Sequence, residues 1–188
     1  MVVPRLAGLM VAVICGAPRE GRDCCSSAMC AESAPMSNEA RLQEWIDRHG
    51  VEAVLVRYAV SCHTVEEAAA ATGAGVEGII KNICMIGPDD ELIVAILPGA
   101  NRASTRRVGK ALGMDPLRVA TPEEVLARTG FPAGGTPSFG FAAQFVVDPR
   151  VLERDEVHTG GGSDRALVRI APSALVAANQ AVVARVRK

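Results

Sequence analysis

Aromatic side chains are scarce in this chain. One tryptophan, one tyrosine and four phenylalanines make up 3% of 188 residues. So few rings argue against a protein that stacks successive bases of single-stranded nucleic acid. Charge of one sign is also missing: the formal net charge is -1, which gives no global attraction to phosphate, so any nucleic-acid contact must be local. No apolar run is long enough to span a bilayer. Metal spacing is absent as well. Cys24 and Cys25 are adjacent, Cys30 follows five residues later, and no second Cys or His pair answers them, so no zinc site and no cofactor are expected. Cys62 and Cys84 read as reduced, buried thiols of a cytosolic protein. No Ser-His or Cys-His arrangement stands out as a catalytic triad.

What is present supports one domain of ordinary size, because 49% hydrophobic residues are ample for a core. Residues 1–35 differ from the rest. Met1 to Ala17 is apolar with an early Arg5, four of the six cysteines fall in this stretch, and no clean small-residue cleavage site follows. Residues 1–35 are therefore expected to be an extension, weakly ordered or not native, with Met36 as the natural start and residues 36–188 as the folded domain.

From Ser37 onward, helical and strand patterns alternate. Leu42, Trp45, Ile46 and His49 share a helical face over about Glu39 to His49, with Ser37 or Asn38 as cap and Gly50 as stop. Val54 to Val60 reads as a strand. Thr64-Val65-Glu66-Glu67 is a capping box opening an alanine-rich helix that ends near Gly73, which places His63 and Thr64 at a helix N-terminus. Ile79 to Ile86 and Leu92 to Leu97 flank the turn Gly87-Pro88-Asp89-Asp90 and predict a hairpin. Period-two alternation sends Lys81, Ile83 and Met85 to one face and Asn82, Cys84 and Ile86 to the other. A helix over Thr105 to Leu112 follows, capped by Ser104. Thr121-Pro122-Glu123-Glu124 is a second capping box, whose helix stops at Gly130. Ala142 to Val147, Val157, Ala166 to Ile170 and Val182 to Val186 read as strands, and Pro172 opens a short last helix. The expected class is mixed α/β (α+β): a mixed, largely antiparallel sheet with a barrel-like core surrounded by short helices.

Two features point to a pocket for something polar. Lys81 emerges from an apolar run, and a cation is costly to bury without an anion or polar ligand. The loop Gly130-Phe131-Pro132-Ala133-Gly134-Gly135-Thr136-Pro137-Ser138-Phe139-Gly140 has glycines that let a ligand approach the backbone. The bland readings are a snorkelling strand-edge lysine and an ordinary turn. Cys84 is a poor nucleophile candidate, since alternation sends it away from Lys81 and no His is placed to activate it. A basic cluster, Arg102, Arg106, Arg107, Lys110 and Arg118, includes Asp115 as its only acid. It is either a solvated helix face or a local contact for phosphate groups.

Taken in order, the segments Ser61 to Ala69, Ile80-Lys81-Asn82-Ile83, Thr121 to Glu124, Gly130 to Gly140, and Asp155-Glu156-Val157 with its glycine turn resemble the YbaK/prolyl-tRNA synthetase-associated (ProX-like) aminoacyl-tRNA editing domain family. The resemblance covers roughly Leu42 to Val186. It implies a cytoplasmic, metal-independent trans-editing deacylase that hydrolyses the ester of a mischarged tRNA. The implied substrate is proline tRNA carrying a small non-cognate residue such as alanine or cysteine, with prolyl-tRNA synthetase as a candidate partner. Lys81 matches the family's essential lysine, which holds the tRNA 3′ end, where the substrate's own 2′-hydroxyl is thought to help activate water. Gly134 and Gly135 match the loop whose N–H groups approach the ester carbonyl. His63, Thr64, Asn82, Thr136, Pro137, Ser138 and Gly161 are the implied substrate-binding positions, and Arg102, Arg106, Arg107 and Lys110 the implied tRNA contacts. Ser138 departs from a second proline common in such loops, which bears on loop stiffness and pocket shape. A non-catalytic tRNA- or synthetase-associated module with the same pocket is the alternative.

Overall fold

A computed structural model describes residues 36–188, so the readings made for residues 1–35 lie outside the described residues. The chain runs α1 (Asn38–His49), β1 (Ala53–Arg57), α2 (Val65–Thr72), β2 (Ile80–Ile86), β3 (Leu92–Pro98), α3 (Thr105–Leu112), β4 (Arg118–Val119), α4 (Pro122–Thr129), β5 (Gln144–Val147), β6 (Val157–Gly160), β7 (Ala166–Ile170), α5 (Pro172–Asn179) and β8 (Val182–Val183). Short 3₁₀ turns lie at Val76–Gly78 and Pro149–Glu153. The capping signals work as expected. Ser37 caps α1, Thr64 and Thr121 form complete capping boxes with Glu67 and Glu124, and α1 to α4 each end on a left-handed glycine.

The strands form a three-stranded sheet in the order β1-β7-β6 and a five-stranded sheet in the order β4-β2-β3-β5-β8. Four of the six strand pairings are antiparallel, while β3–β5 and β5–β8 are parallel, so the mixed, largely antiparallel expectation holds. The barrel-like core does not: no closed barrel forms among the described residues. An isolated bridge between Ile79 and His158 is where the two sheets meet.

Alternation along the central hairpin divides the interior. Cys84, Ile86, Leu92, Val94 and Ile96 face the main core with Leu42 and Ile46 of α1, Phe131, Phe139, Val157, Val168 and Leu175. Met85, Ile93, Ala95 and Leu97 face the opposite side, where Val108 of α3, Leu117 and Val146 cover them. Both faces of β3 are therefore buried, which explains its unbroken apolar sequence. A third, smaller cluster packs Ala68 and Ala69 of α2 on Cys62, Ile79 and Leu167.

Several boundaries differ from the sequence expectation. The first strand stops at Arg57 instead of Val60, because its partner β7 begins at Ala166 and the chain then bends so that Cys62 N–H reaches the Asp164 carbonyl. The strand expected from Ala142 starts at Gln144, and the one expected at Val157 alone continues to Gly160. The last strand ends at Val183, since beyond Ala184 the N–H groups of Val186 and Arg187 turn to the buried Asp148 carboxylate at 3.0 and 3.2 Å. The two-residue β4 has no counterpart in the sequence reading.

Candidate functional site

The hairpin, the start of α2, the glycine loop and the end of β6 converge on one cleft of about 240 Å³. Lys81, Asn82, His63, Thr64, Gly134, Thr136 and Gly160 line its polar side. Cys62, Val65, Ala68, Ile79, Ile80 and Leu167 form its apolar side. Lys81 is half-buried and has no ion-pair partner among the described residues. Burial lowers its pKa from the ordinary lysine value, the neighbouring Arg102 cation lowers it further, and Glu66 opposes both. A lysine held in this way favours an anionic or strongly accepting ligand.

Asn82 points to the other face, as alternation predicts, but contributes differently from a free substrate donor. Its amide donates to the Thr136 carbonyl at 2.8 Å and to the Thr159 hydroxyl at 2.9 Å, and its oxygen accepts from Ser138 at 2.7 Å. Both amide hydrogens are thus spent on holding the loop.

The glycine loop divides into two roles. Gly134 is exposed, with φ +91, and a Cβ there would lie 2.5 Å from the His63 ring, so the imidazole packs directly over it. Gly135 is buried behind the cleft. Its N–H donates to the Pro132 carbonyl at 3.0 Å, its carbonyl accepts from Gly162 at 2.8 Å, and a Cβ would meet the Ser163 backbone at 2.9 Å. Among the described residues, the N–H groups of Ala133, Gly134, Thr136, Ser138, Phe139 and Gly140 have no acceptor, and of these residues Gly134 and Thr136 line the cleft, whereas the Gly135 N–H is spent on Pro132.

Other expected positions fall out of the cleft lining. Pro137 and Ser138 are buried beneath it, Ser138 with no exposure at all. Gly161 closes the β6–β7 turn through a 2.9 Å bond to Ala166, and it is Gly160 that lines the cleft, its α-carbon pressed on the loop so that a Cβ would meet the Thr136 oxygen at 2.4 Å. Thr64 serves as the cap of α2, and the Glu67 carboxylate accepts the N–H groups of both His63 and Thr64 at 3.0 and 3.2 Å. The helix start offers a ligand neither of those donors. Cys84 is buried in the main core, where desolvation pushes its thiol up to about 11, so it is no thiolate at neutral pH.

Of the basic cluster, Arg102, Arg106 and Lys110 are exposed without ion-pair partners among the described residues. Arg107 donates to the Arg187 carbonyl, and Arg118 forms a two-pronged pair with Glu124 at 2.7 and 2.6 Å. Missed by sequence reasoning were Thr159, Gly160, Leu167 and Asn179. Threonine and leucine in strands carry no motif signal, whereas the glycine run 160–162 was visible but not resolvable into its members. No group of His, Cys, Asp and Glu among the described residues could hold a metal, and no described helix is long and apolar enough to cross a membrane.

Comparison with known proteins agrees with this arrangement. The family model for the aminoacyl-tRNA editing domain matches residues 59–178, which contain every residue lining the cleft. The chain belongs to the aminoacyl-tRNA editing domain family. Among editing-domain relatives, a crystal structure of a proposed trans-editing enzyme for prolyl tRNA synthetase superposes with TM-score 0.76 at 33% identity, covering 82% of this chain and 99% of that one. YwhH of Bacillus subtilis, described as uncharacterized, is 26% identical over 123 residues, or 64% of this chain and 78% of its own. A proline–tRNA ligase of Nitratidesulfovibrio vulgaris strain DP4 is 35% identical over 72 residues, 38% of this chain; the match spans only 12% of that ligase.

Proposed function

We propose that this editing domain is a trans-acting deacylase that hydrolyses the ester of a mischarged tRNA in the cytosol, with proline tRNA carrying alanine or cysteine as its substrate class. The observation that carries the reading is that Lys81, without an ion-pair partner among the described residues, lines the same cleft as Gly134 and Thr136, whose N–H groups lack acceptors. Similarity to a proposed prolyl-tRNA synthetase trans-editing enzyme supports the tRNA. The apolar side of the cleft, with no charged lining residue, suits a small uncharged side chain.

Ester hydrolysis joins a water oxygen to the carbonyl carbon, breaks the bond to the ribose oxygen, and returns a proton to that oxygen. Negative charge collects on the carbonyl oxygen in between. Preorganised N–H donors stabilise it, and losing one such donor typically costs about 10²–10³ in rate. Lys81 anchors the 3′-terminal nucleotide and its phosphate, so that an already activated ester needs only positioning and no protein nucleophile.

The test is deacylation of proline tRNA charged in turn with alanine, cysteine, serine and proline, by the full chain and by Lys81→Ala. Hydrolysis of a non-cognate species is expected, with kcat/KM about 10- to 150-fold lower in the variant, as for loss of a charge-assisted contact of about 1.5–3 kcal/mol. Tight binding of charged tRNA with no hydrolysis of any species would replace the deacylase by a non-catalytic module.

A further inference from the structure

At the floor of the cleft lies a ring of three polar side chains from three separate segments: the half-buried Asn82 of β2 and the buried Ser138 of the glycine loop and Thr159 of β6. Ser138 and Thr159 are 0% and 1% exposed. Their hydrogen bonds admit one consistent arrangement. The Asn82 amide nitrogen must face the Thr136 carbonyl, because the flipped amide would set oxygen against oxygen. Its second hydrogen then goes to the Thr159 hydroxyl, and its oxygen accepts the single Ser138 proton. The 2.7 Å contact between the two hydroxyls is left for Thr159 to donate and Ser138 to accept. Asn82 gives to Thr159, Thr159 to Ser138, and Ser138 back to Asn82. Such a closed ring polarises each of its bonds and holds the Asn82 amide in one orientation.

The ring bears on Thr136 from its carbonyl side, through the Thr136–Pro137 peptide. The Thr136 carbonyl is fixed by Asn82, and the peptide before it is fixed by the Gly162 N–H on the Gly135 carbonyl at 2.8 Å. In a planar trans peptide the N–H points opposite to the carbonyl, so the Thr136 N–H is directed away from Gly162. Asn179 at the end of α5 adds a further tie, donating to the Ser138 carbonyl at 2.9 Å. Because Asn82 follows Lys81 on the same strand, the register that places the lysine also places the clamp.

We infer that Ser138 and Thr159 are positioning residues of the editing site: by locking the Asn82 amide they fix the Thr136–Pro137 peptide, and together with the Gly162 bond to the Gly135 carbonyl they hold Thr136 from both sides, so that its free N–H keeps one direction in the cleft. Neither hydroxyl touches the substrate. The inference rests on the deacylase reading for its kinetic consequence, while the clamp itself is a property of the folded chain.

Two readouts test it in the full chain with Ser138→Ala, Thr159→Val and Thr159→Ser. In NMR, the Asn82 side-chain NH₂ of the unaltered protein should exchange slowly. Ser138→Ala and Thr159→Val should lose that protection and displace the Thr136 amide signal, while Thr159→Ser, which keeps the hydroxyl, should retain both. In deacylation, the two disruptive variants should lower kcat about 10- to 100-fold, the scale of a small misplacement, with KM within about twofold, and Thr159→Ser should recover most of it. Unchanged Asn82 protection in both disruptive variants overturns the clamp. Altered signals with an unchanged kcat overturn the positioning role. If the unaltered chain hydrolyses no ester, the deacylase reading fails by that result, and the NMR comparison still decides the clamp.

Discussion

Gly134 and Gly160 flank the same cleft, yet their replacement by alanine should fail in different ways. At Gly134 the new methyl would meet the ring of His63, an exposed side chain that can swing aside, and the remaining cost is the left-handed backbone, about 1–2 kcal/mol. At Gly160 it would meet the Thr136 carbonyl and the Gly135 backbone at 2.4 and 2.8 Å, neither of which can move without dragging the loop. Gly160→Ala is therefore expected to lower the melting temperature by several degrees and to abolish deacylation. Gly134→Ala should keep a nearer-native melting temperature while losing most activity through the displaced imidazole and loop. Thermal melts read alongside kcat separate the two. Lys81, the Gly134 loop and the capping threonines were legible in the sequence because each is unusual where it stands. Ser138 and Thr159 were not, because a hydroxyl on a strand or loop looks the same whether it meets water or a side-chain amide.

The capping boxes show how a local signal also carries electrostatics. Glu124 closes the box of α4 and pairs with Arg118 of the short edge strand β4; the guanidinium, then the Thr121 N–H, hold its carboxyl down at about 2. A carboxylate whose folded pKa lies below its unfolded value stabilises the fold above the unfolded pKa and stops doing so as pH falls through the folded one. Stability contributed by Glu124 is thus complete above about pH 4.5 and lost between there and about 2. Melting temperatures of Glu124→Gln should lie below those of the unaltered chain at pH 6 and converge with them on acidification. The same pairing explains why β4 escaped notice: two exposed residues carry no hydrophobic period, and their place on the sheet depends on β2 and α4 arriving from elsewhere.

Where the two sheets meet, His158 is buried and its Nδ1 has no hydrogen-bond partner among the described residues. Burial holds its pKa below the ordinary histidine value, with Glu156 and the backbone of Gly78 opposing and Arg169 assisting. The unfolded chain therefore binds a proton at a pH where the folded chain does not. His158 should cost nothing above about pH 6.5, and stability should fall as pH drops from there towards the folded pKa, by at most about 1.4 kcal/mol per unit. Urea midpoints at pH 7.5 and 5.5 should differ in the unaltered chain and differ less in His158→Gln. On the outside of the molecule, Arg106 and Lys110 lie exposed on α3, while Arg102 sits close enough to Lys81 to depress its pKa. If this face meets the acceptor stem, Arg106→Glu with Lys110→Glu should weaken tRNA binding and lower the slope of log K against log salt by about 0.9 per lost phosphate contact. Filter binding from 50 to 200 mM salt measures it, and an unchanged slope removes α3 from the interface.

By itself the sequence determined the helices with their ends and the central hairpin, since caps, glycine stops and hydrophobic periods act within a few residues of where they are written, whereas the ends of β1, β5 and β8 and the existence of β4 depended on their partners. It also determined that Lys81 and Asn82 leave β2 on opposite faces. Tertiary structure decided the rest: that the sheets stay separate instead of closing, that Gly134 and Thr136 keep free N–H groups while Gly135 does not, and that Asn82 holds the loop. The separate sheets depend on which edge a strand finds, and the Asn82 clamp on hydrogen bonds between residues more than fifty positions apart, while the Gly135 N–H is spent three residues back on Pro132 in a loop conformation that the packed core holds; such choices come from packing the whole core, not from any sequence pattern.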